Sequence, residues 1–321
     1  MENQSLVANL ERVPIAVVPT MMGLTALSNA WGGQGFAWIN NISMTIGGLV
    51  WLLYMGKVLF HWKTCRQEYQ NPVLASMYCA TAILMIILST WLAQWFFTPA
   101  KVLHLAATAV QAGFVLLFTY RHILRGVNRE TFVPSWYVTY VGIFIAPVLG
   151  SGVFDLPVIY TLILWYGVAA YFIFLGPMLI RLRRPLPTPA LHTRNVMLAP
   201  ASLVPTTYLS VVAEPNLYIV MGLMVLFFLT LAYVFWSVPL FFSVSFQPSF
   251  AALTFPNVAA ALMLFQVSGY LAGLGFDGPA WAFHQMGGIY MYLTTAVVVF
   301  VVFHFARMGV RAILPRREEE I

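Results

Sequence analysis

Ten stretches of this chain stay apolar for long enough to cross a lipid bilayer, and that feature excludes most folds. They are 13–31, 41–61, 73–95, 101–121, 134–152, 158–180, 195–213, 216–241, 249–272 and 280–306. A helix rises about 1.5 Å per residue, so roughly 20 apolar residues cross the ~30 Å hydrocarbon core. Hydrophobic residues make up 61% of the chain and charged residues only 8%, against about 25% charged in a soluble domain. So few charges cannot cover a water-facing surface, and the solvent for most of this chain is lipid. Connections between the runs are short, so residues 1–321 are expected to form one all-α integral membrane domain. Cys65 and Cys79 are too few for a disulfide framework. The N-terminal MENQSLVANLERVP lacks a basic stretch followed by an apolar core, so no cleavable signal is expected.

The cations orient the spans. Lys57, Lys63 and Arg66 end or follow the second run. Arg121, Arg125 and Arg129 end or follow the fourth, and Arg181, Arg183, Arg184 and Arg194 lie between the sixth and seventh. Arg307, Arg311, Arg316 and Arg317 close the tenth, and Arg12 precedes the first. Of the 16 Lys and Arg, only Lys101 falls on the opposite side. Positive loops stay in the cytoplasm, so both termini are expected there. Topology accounts for the net charge of +6, and no nucleic-acid partner is expected.

The prolines divide unevenly. Odd-numbered runs hold Pro14, Pro19, Pro134, Pro147, Pro200, Pro205 and Pro256, whereas the third has only Pro72 at its entry. Even-numbered runs hold Pro177 and Pro239, both near their cytoplasmic ends. A proline frees a carbonyl, which is costly against lipid and tolerated inside protein or beside a wet cavity. The odd runs therefore read as an inner ring of helices, broken in places, and the even runs as an outer ring. The five hairpins recur about every 60 residues, a repeat-like layout. The odd runs also carry hydroxyls that could serve as neutral hydrogen-bond donors: Thr20, Thr25, Ser28, Thr139, Ser202, Thr206, Thr207 and Thr254.

Acids are nearly absent from the runs. Asp155, Glu214 and Asp277 all fall at outer ends, which makes a proton relay hard to build. No Ser/His or paired-Asp arrangement lies at membrane depth, so an enzyme is not expected. His104, His284 and His304 do not pair at ligand spacing, so neither a metal nor another cofactor is expected. His61, His122 and His192 fall on the cytoplasmic side and read as solvated.

Several runs resemble one family in order along the chain. VPIAVVPTMMGLTALSNAW (13–31), EYQNPVLASMY (68–78), PSWYVTYVGIFIAPVLGSG (134–152), MLAPASLVPTTYLSV (197–211) and FAALTFPNVAAA (250–261) are similar to the TehA-like tellurite-resistance/dicarboxylate transporters. Plant slow anion channels belong to the same family. The resemblance implies ten transmembrane helices as five helical hairpins, with quasi-five-fold symmetry around a central pore. It also implies a homotrimer in the bacterial inner membrane, each protomer with its own pore. A phenylalanine on the ninth span closes the family's pore, and Phe255 takes that place here, with Pro256 and Thr254 supporting it. Pro19, Gly23, Thr139, Phe144, Pro147, Pro205 and Thr206 are expected to line the lumen. The chain departs from the family in having FAAL before this phenylalanine, and Asn257 after the proline.

The expected function is an anion channel or uniporter passing small monovalent anions or oxyanions. The alternative is proton-coupled transport of C4-dicarboxylates, sulfite or tellurite. Pro256 reads as a kink in mid-helix that aims the Phe255 ring inward.

Overall fold

The computed structural model describes residues 10–313. Residues 1–9 and 314–321, including Arg316 and Arg317, lie outside the described residues, as does the Arg311 side chain. The chain runs through α1 (Val17–Gly33), α2 (Ala37–Phe60), a short α3 (Trp62–Glu68), α4 (Pro72–Leu92) and α5 (Phe97–Thr119), which ends in a π turn (Tyr120–Leu124). Next come α6 (Trp136–Val141), a 3-10 turn (Gly142–Phe144), α7 (Ile145–Gly150) and α8 (Pro157–Leu182). A 3-10 segment (Thr188–Met197) leads into α9 (Leu198–Val211), followed by α10 (Leu217–Phe241). A further 3-10 segment (Pro248–Leu253) precedes α11 (Phe255–Gly273), and α12 is Asp277–Ile313. No strand occurs among the described residues.

Seven elements are long and apolar enough to cross a membrane: α2, α4, α5, α8, α10, α11 with its lead-in, and α12. The other three apolar runs form shorter regular helix. α1 has 17 residues, α9 has 14, and α6 with α7 covers Trp136–Gly150 around a 3-10 turn. The shortening follows from where the backbone breaks, because these runs begin in turns or 3-10 geometry.

Burial alternates along the chain. In α4 and in Pro248–Gly273, 72% and 78% of the apolar window is buried, against 28–33% in α2, α5, α8, α10 and α12. α1, α6, α7 and α9 are likewise mostly buried. The even runs instead expose large apolar side chains such as Leu52, Leu116, Leu162, Leu229 and Val299. The buried segments follow one another in a closed circuit: α1 packs on α4, α4 on α6 and α7, these on α9, α9 on α11, and α11 on α1. Each outward helix covers the segment it follows in sequence.

Four sequence expectations change. Pro256 does not kink a helix in mid-course: α11 starts at Phe255, and the proline occupies its first turn, where a missing N–H leaves no helical bond unmade. Lys57 is not a free loop charge. It is 1% exposed, 2.8 Å from Glu68 Oε1, and donates to the Val13 carbonyl at 2.8 Å. The Tyr78 hydroxyl completes this cluster by donating to the other Glu68 oxygen. Finally, neither His122 nor His192 is solvated. His192 Nε2 donates to the Phe241 carbonyl at 2.9 Å, so Nδ1 accepts from the Ser249 hydroxyl at 2.8 Å.

Candidate functional site

The ninth apolar run contains the sharpest interruption among the buried segments. Pro248 starts a 3-10 turn, and Thr254 then takes φ −86°, ψ −83°, outside helical geometry, before α11 begins. Such a break leaves carbonyls that must find partners away from water. Side chains supply them. Asn257 Nδ2 donates to the Leu253 carbonyl at 2.7 Å, and Asn195 Nδ2 donates to Ala252 at 2.9 Å. The Thr254 hydroxyl donates to Ala251 at 2.8 Å and lies 3.3 Å from the Pro19 carbonyl of α1. Asn257 is itself held by the Tyr290 hydroxyl of α12 at 2.6 Å. The residue that departs from the family pattern thus secures the break and does not line either cavity described below.

Gly23 of α1 backs this break. A Cβ on Gly23 would fall 2.5 Å from both Cβ and Oγ1 of Thr254 and 3.0 Å from the Phe255 nitrogen. Glycine permits the approach, because Thr254 Cβ and the Phe255 nitrogen are fixed by the backbone and the Thr254 hydroxyl is held by the Ala251 carbonyl.

Two narrow cavities lie along the interior. One, of about 50 Å³, is walled by residues including Pro19, Met22, Ile83, Tyr137, Ala199 and Pro256. The other, of about 20 Å³, is walled by residues including Ala26, Ile87, Ile145, Thr206 and Leu262. All five buried segments contribute to each wall, and the outward helices contribute to neither. Phe255 and Leu203 line both. Phe255 is only 7% exposed. A water needs roughly 10–15 Å³ by this measure, so the larger space admits a few waters and the smaller about one. Neither wall carries Asp, Glu, Lys or Arg.

Of the residues expected along the lumen, Pro19, Thr206, Phe255 and Pro256 border these cavities. Gly23 and Thr254 stand behind Phe255. Thr139, Phe144, Pro147 and Pro205 border neither cavity. The Phe144 ring packs outward on Gly167 of α8, where a Cβ would lie 2.3 Å from its Cζ. Thr139 lies against α4 and α5: Cys79 Sγ is 3.4 Å from its hydroxyl, and Gln111 donates to its carbonyl at 3.0 Å.

Most of the hydroxyls expected to serve as anion donors are already committed. Thr20, Thr25, Ser202, Thr206 and Thr207 each donate to a carbonyl four residues back, and Ser28 to one three back. Ser135, just before α6, differs. It lines the larger cavity, is 2% exposed, and its Oγ has no hydrogen-bond partner. Its position beside Pro134 in the polar entry to a run gave no hint of this.

These features define a multi-pass membrane protein with two uncharged interior spaces that share Phe255 and Leu203 in their walls. The voltage-dependent anion channel family (SLAC1) matches residues 12–306, and the chain belongs to that family. It is therefore a protein of anion transport across the membrane, in a family of channels and transporters rather than enzymes. No curated protein shows a significant match to the chain.

Proposed function

We propose that the ten apolar runs form ten spans, paired as five hairpins with quasi-five-fold symmetry, and that they enclose an anion-conducting passage closed by Phe255. The observation that carries this reading is the position of Phe255, shared by two cavities whose walls both draw on all five buried segments. A ring across so narrow a space excludes water and sets a dewetting barrier. The Thr254–Pro256 break fixes where that ring stands.

The walls favour passive conduction of anions over coupled transport. They hold no carboxylate to carry a proton. An uncharged lumen binds weakly and favours anions that shed water readily. Ser135 offers a donor without a competing acceptor. The basic residues expected at the cytoplasmic side raise the local anion concentration. The substrate class is small monovalent anions or small oxyanions.

The test is flux in liposomes under an imposed potential with no pH gradient. Phe255→Ala is expected to raise anion flux at least about tenfold, which corresponds to roughly 1.4 kcal/mol of barrier. Flux unchanged by the substitution defeats the stopper. Flux that appears only with a proton gradient defeats passive conduction.

A further inference from the structure

A larger pocket, open at one side, lies away from Phe255. It measures about 440 Å³ and sits between α2, α3, α4 and α5, within the roughly 300–1,000 Å³ range of ligand pockets. One wall is a stripe on α5: Val110, Phe114, Leu117 and then Arg121 in the π turn. Spacings of four, three and four residues keep these on one face. The stripe runs roughly 16 Å from its apolar end to its charge, at 1.5 Å per residue. Val110 and Leu117 are exposed, so the pocket opens on the lipid-facing side.

The charged end is built from Arg66 of α3 and Arg121, with Trp62 beside them. The Arg121 guanidinium stands over the Tyr69 ring at 5.5 Å. Neither arginine forms an ion pair among the described residues. Glu68, the nearest acid in sequence, is already held by Lys57 and Tyr78. Two unneutralised guanidinium groups at the mouth of an apolar slot match a phosphate diester on an acyl chain. A second copy of this chain would bring the same basic surface, and a free anion would leave the apolar limb unfilled.

We propose that this pocket is a binding site for an anionic phospholipid, with its headgroup phosphate between Arg66 and Arg121 and an acyl chain along the α5 stripe. The site does not depend on the conducting passage. The test is native mass spectrometry of the full chain in neutral detergent, supplied with equal phosphatidylglycerol and phosphatidylcholine. Wild type is expected to retain phosphatidylglycerol preferentially. Arg66→Gln with Arg121→Gln is expected to lower that preference roughly thirtyfold. Arg183→Gln with Arg184→Gln, which removes equal charge from the same side, is expected to leave it intact. Val110→Trp, which fills the apolar limb, is expected to reduce retention of both lipids. Equal loss in the two arginine pairs, or no loss with Val110→Trp, overturns the site. So does heat stabilisation by inorganic phosphate alone equal to that by the lipid. A smaller assembly in the Arg66/Arg121 variant, with lipid per chain unchanged, would make the pocket a contact between copies and also overturn it.

Discussion

Two segments cross the interior with nearly the same burial but opposite construction. α4 is a continuous helix from Pro72 to Leu92, and Asn71 caps it by accepting from the Val73 nitrogen at 2.9 Å. Its proline occupies the first turn, as Pro256 does in α11. The segment Pro248–Gly273 instead spends its first residues in 3-10 geometry and breaks at Thr254 before its helix starts. Burial therefore does not require a broken helix. The break sets a position: it brings a helix start, and Phe255, to the walls of both cavities. α4 supplies Met77, Ile83 and Ile87 as passive wall.

The largest expected effect separates these two roles. Phe255→Ala should raise liposome anion flux about tenfold or more, whereas Ile83→Ala should change it less than about twofold. Ile83→Ala should still cost roughly 2–5 kcal/mol of stability, read as a lower thermal midpoint. Equal gains in flux from both would make the ring one wall residue among many. Next, Gly23→Ala forces a Cβ against Thr254, and overpacking of this kind costs about 1–3 kcal/mol. Basal flux should change with it, because the break moves. Gly48→Ala, whose Cβ would meet only Leu88 at 3.9 Å, should leave both readings near wild type.

Asn257→Ala strips partners from the Leu253 carbonyl and the Tyr290 hydroxyl and should destabilise by roughly 1–3 kcal/mol. The comparison on α4 is Asn71→Ala, a cap loss of about 1 kcal/mol. Ser135→Ala should leave the thermal midpoint unchanged, since its hydroxyl has no partner. It should shift relative flux among anions by a factor of about 2–5, an effect worth less than one good hydrogen bond.

The smallest effect concerns pH. Burial holds the pKa of His192 below its ordinary value near 6.5, and the neutral ring joins Phe241 to Ser249 ahead of the break. A histidine with a depressed folded pKa contributes its full stability above about pH 6.5 and loses it as pH falls below that value. Thermal midpoints measured from pH 7.5 downward should therefore fall more steeply in wild type than in His192→Gln.

The inner and outer division was legible because proline and small side chains are confined by the cost of exposing backbone to lipid, as at Pro19, Pro205 and Pro256. Hydrogen-bond commitments were not. A threonine such as Thr206 reads as a free donor until the Ser202 carbonyl four residues back claims it, and Ser135 reads as one more loop hydroxyl. Phe144 could not be placed because its partner, Gly167, lies on a separate run. Apolar pattern also cannot tell a 3-10 lead-in from an α-helix, so Pro256 looked like a kink when it begins a helix. His192 looked solvated because its neighbours in the linker are polar, yet long-range bonds to Phe241 and Ser249 enclose it.

The absence of any outward helix from both cavity walls has a practical corollary. A cysteine placed at Leu229 on α10, 64% exposed, gives a point of chemical attachment on an outward face, away from both cavity walls. A dye coupled there would report on its surroundings while leaving both interior spaces as they were.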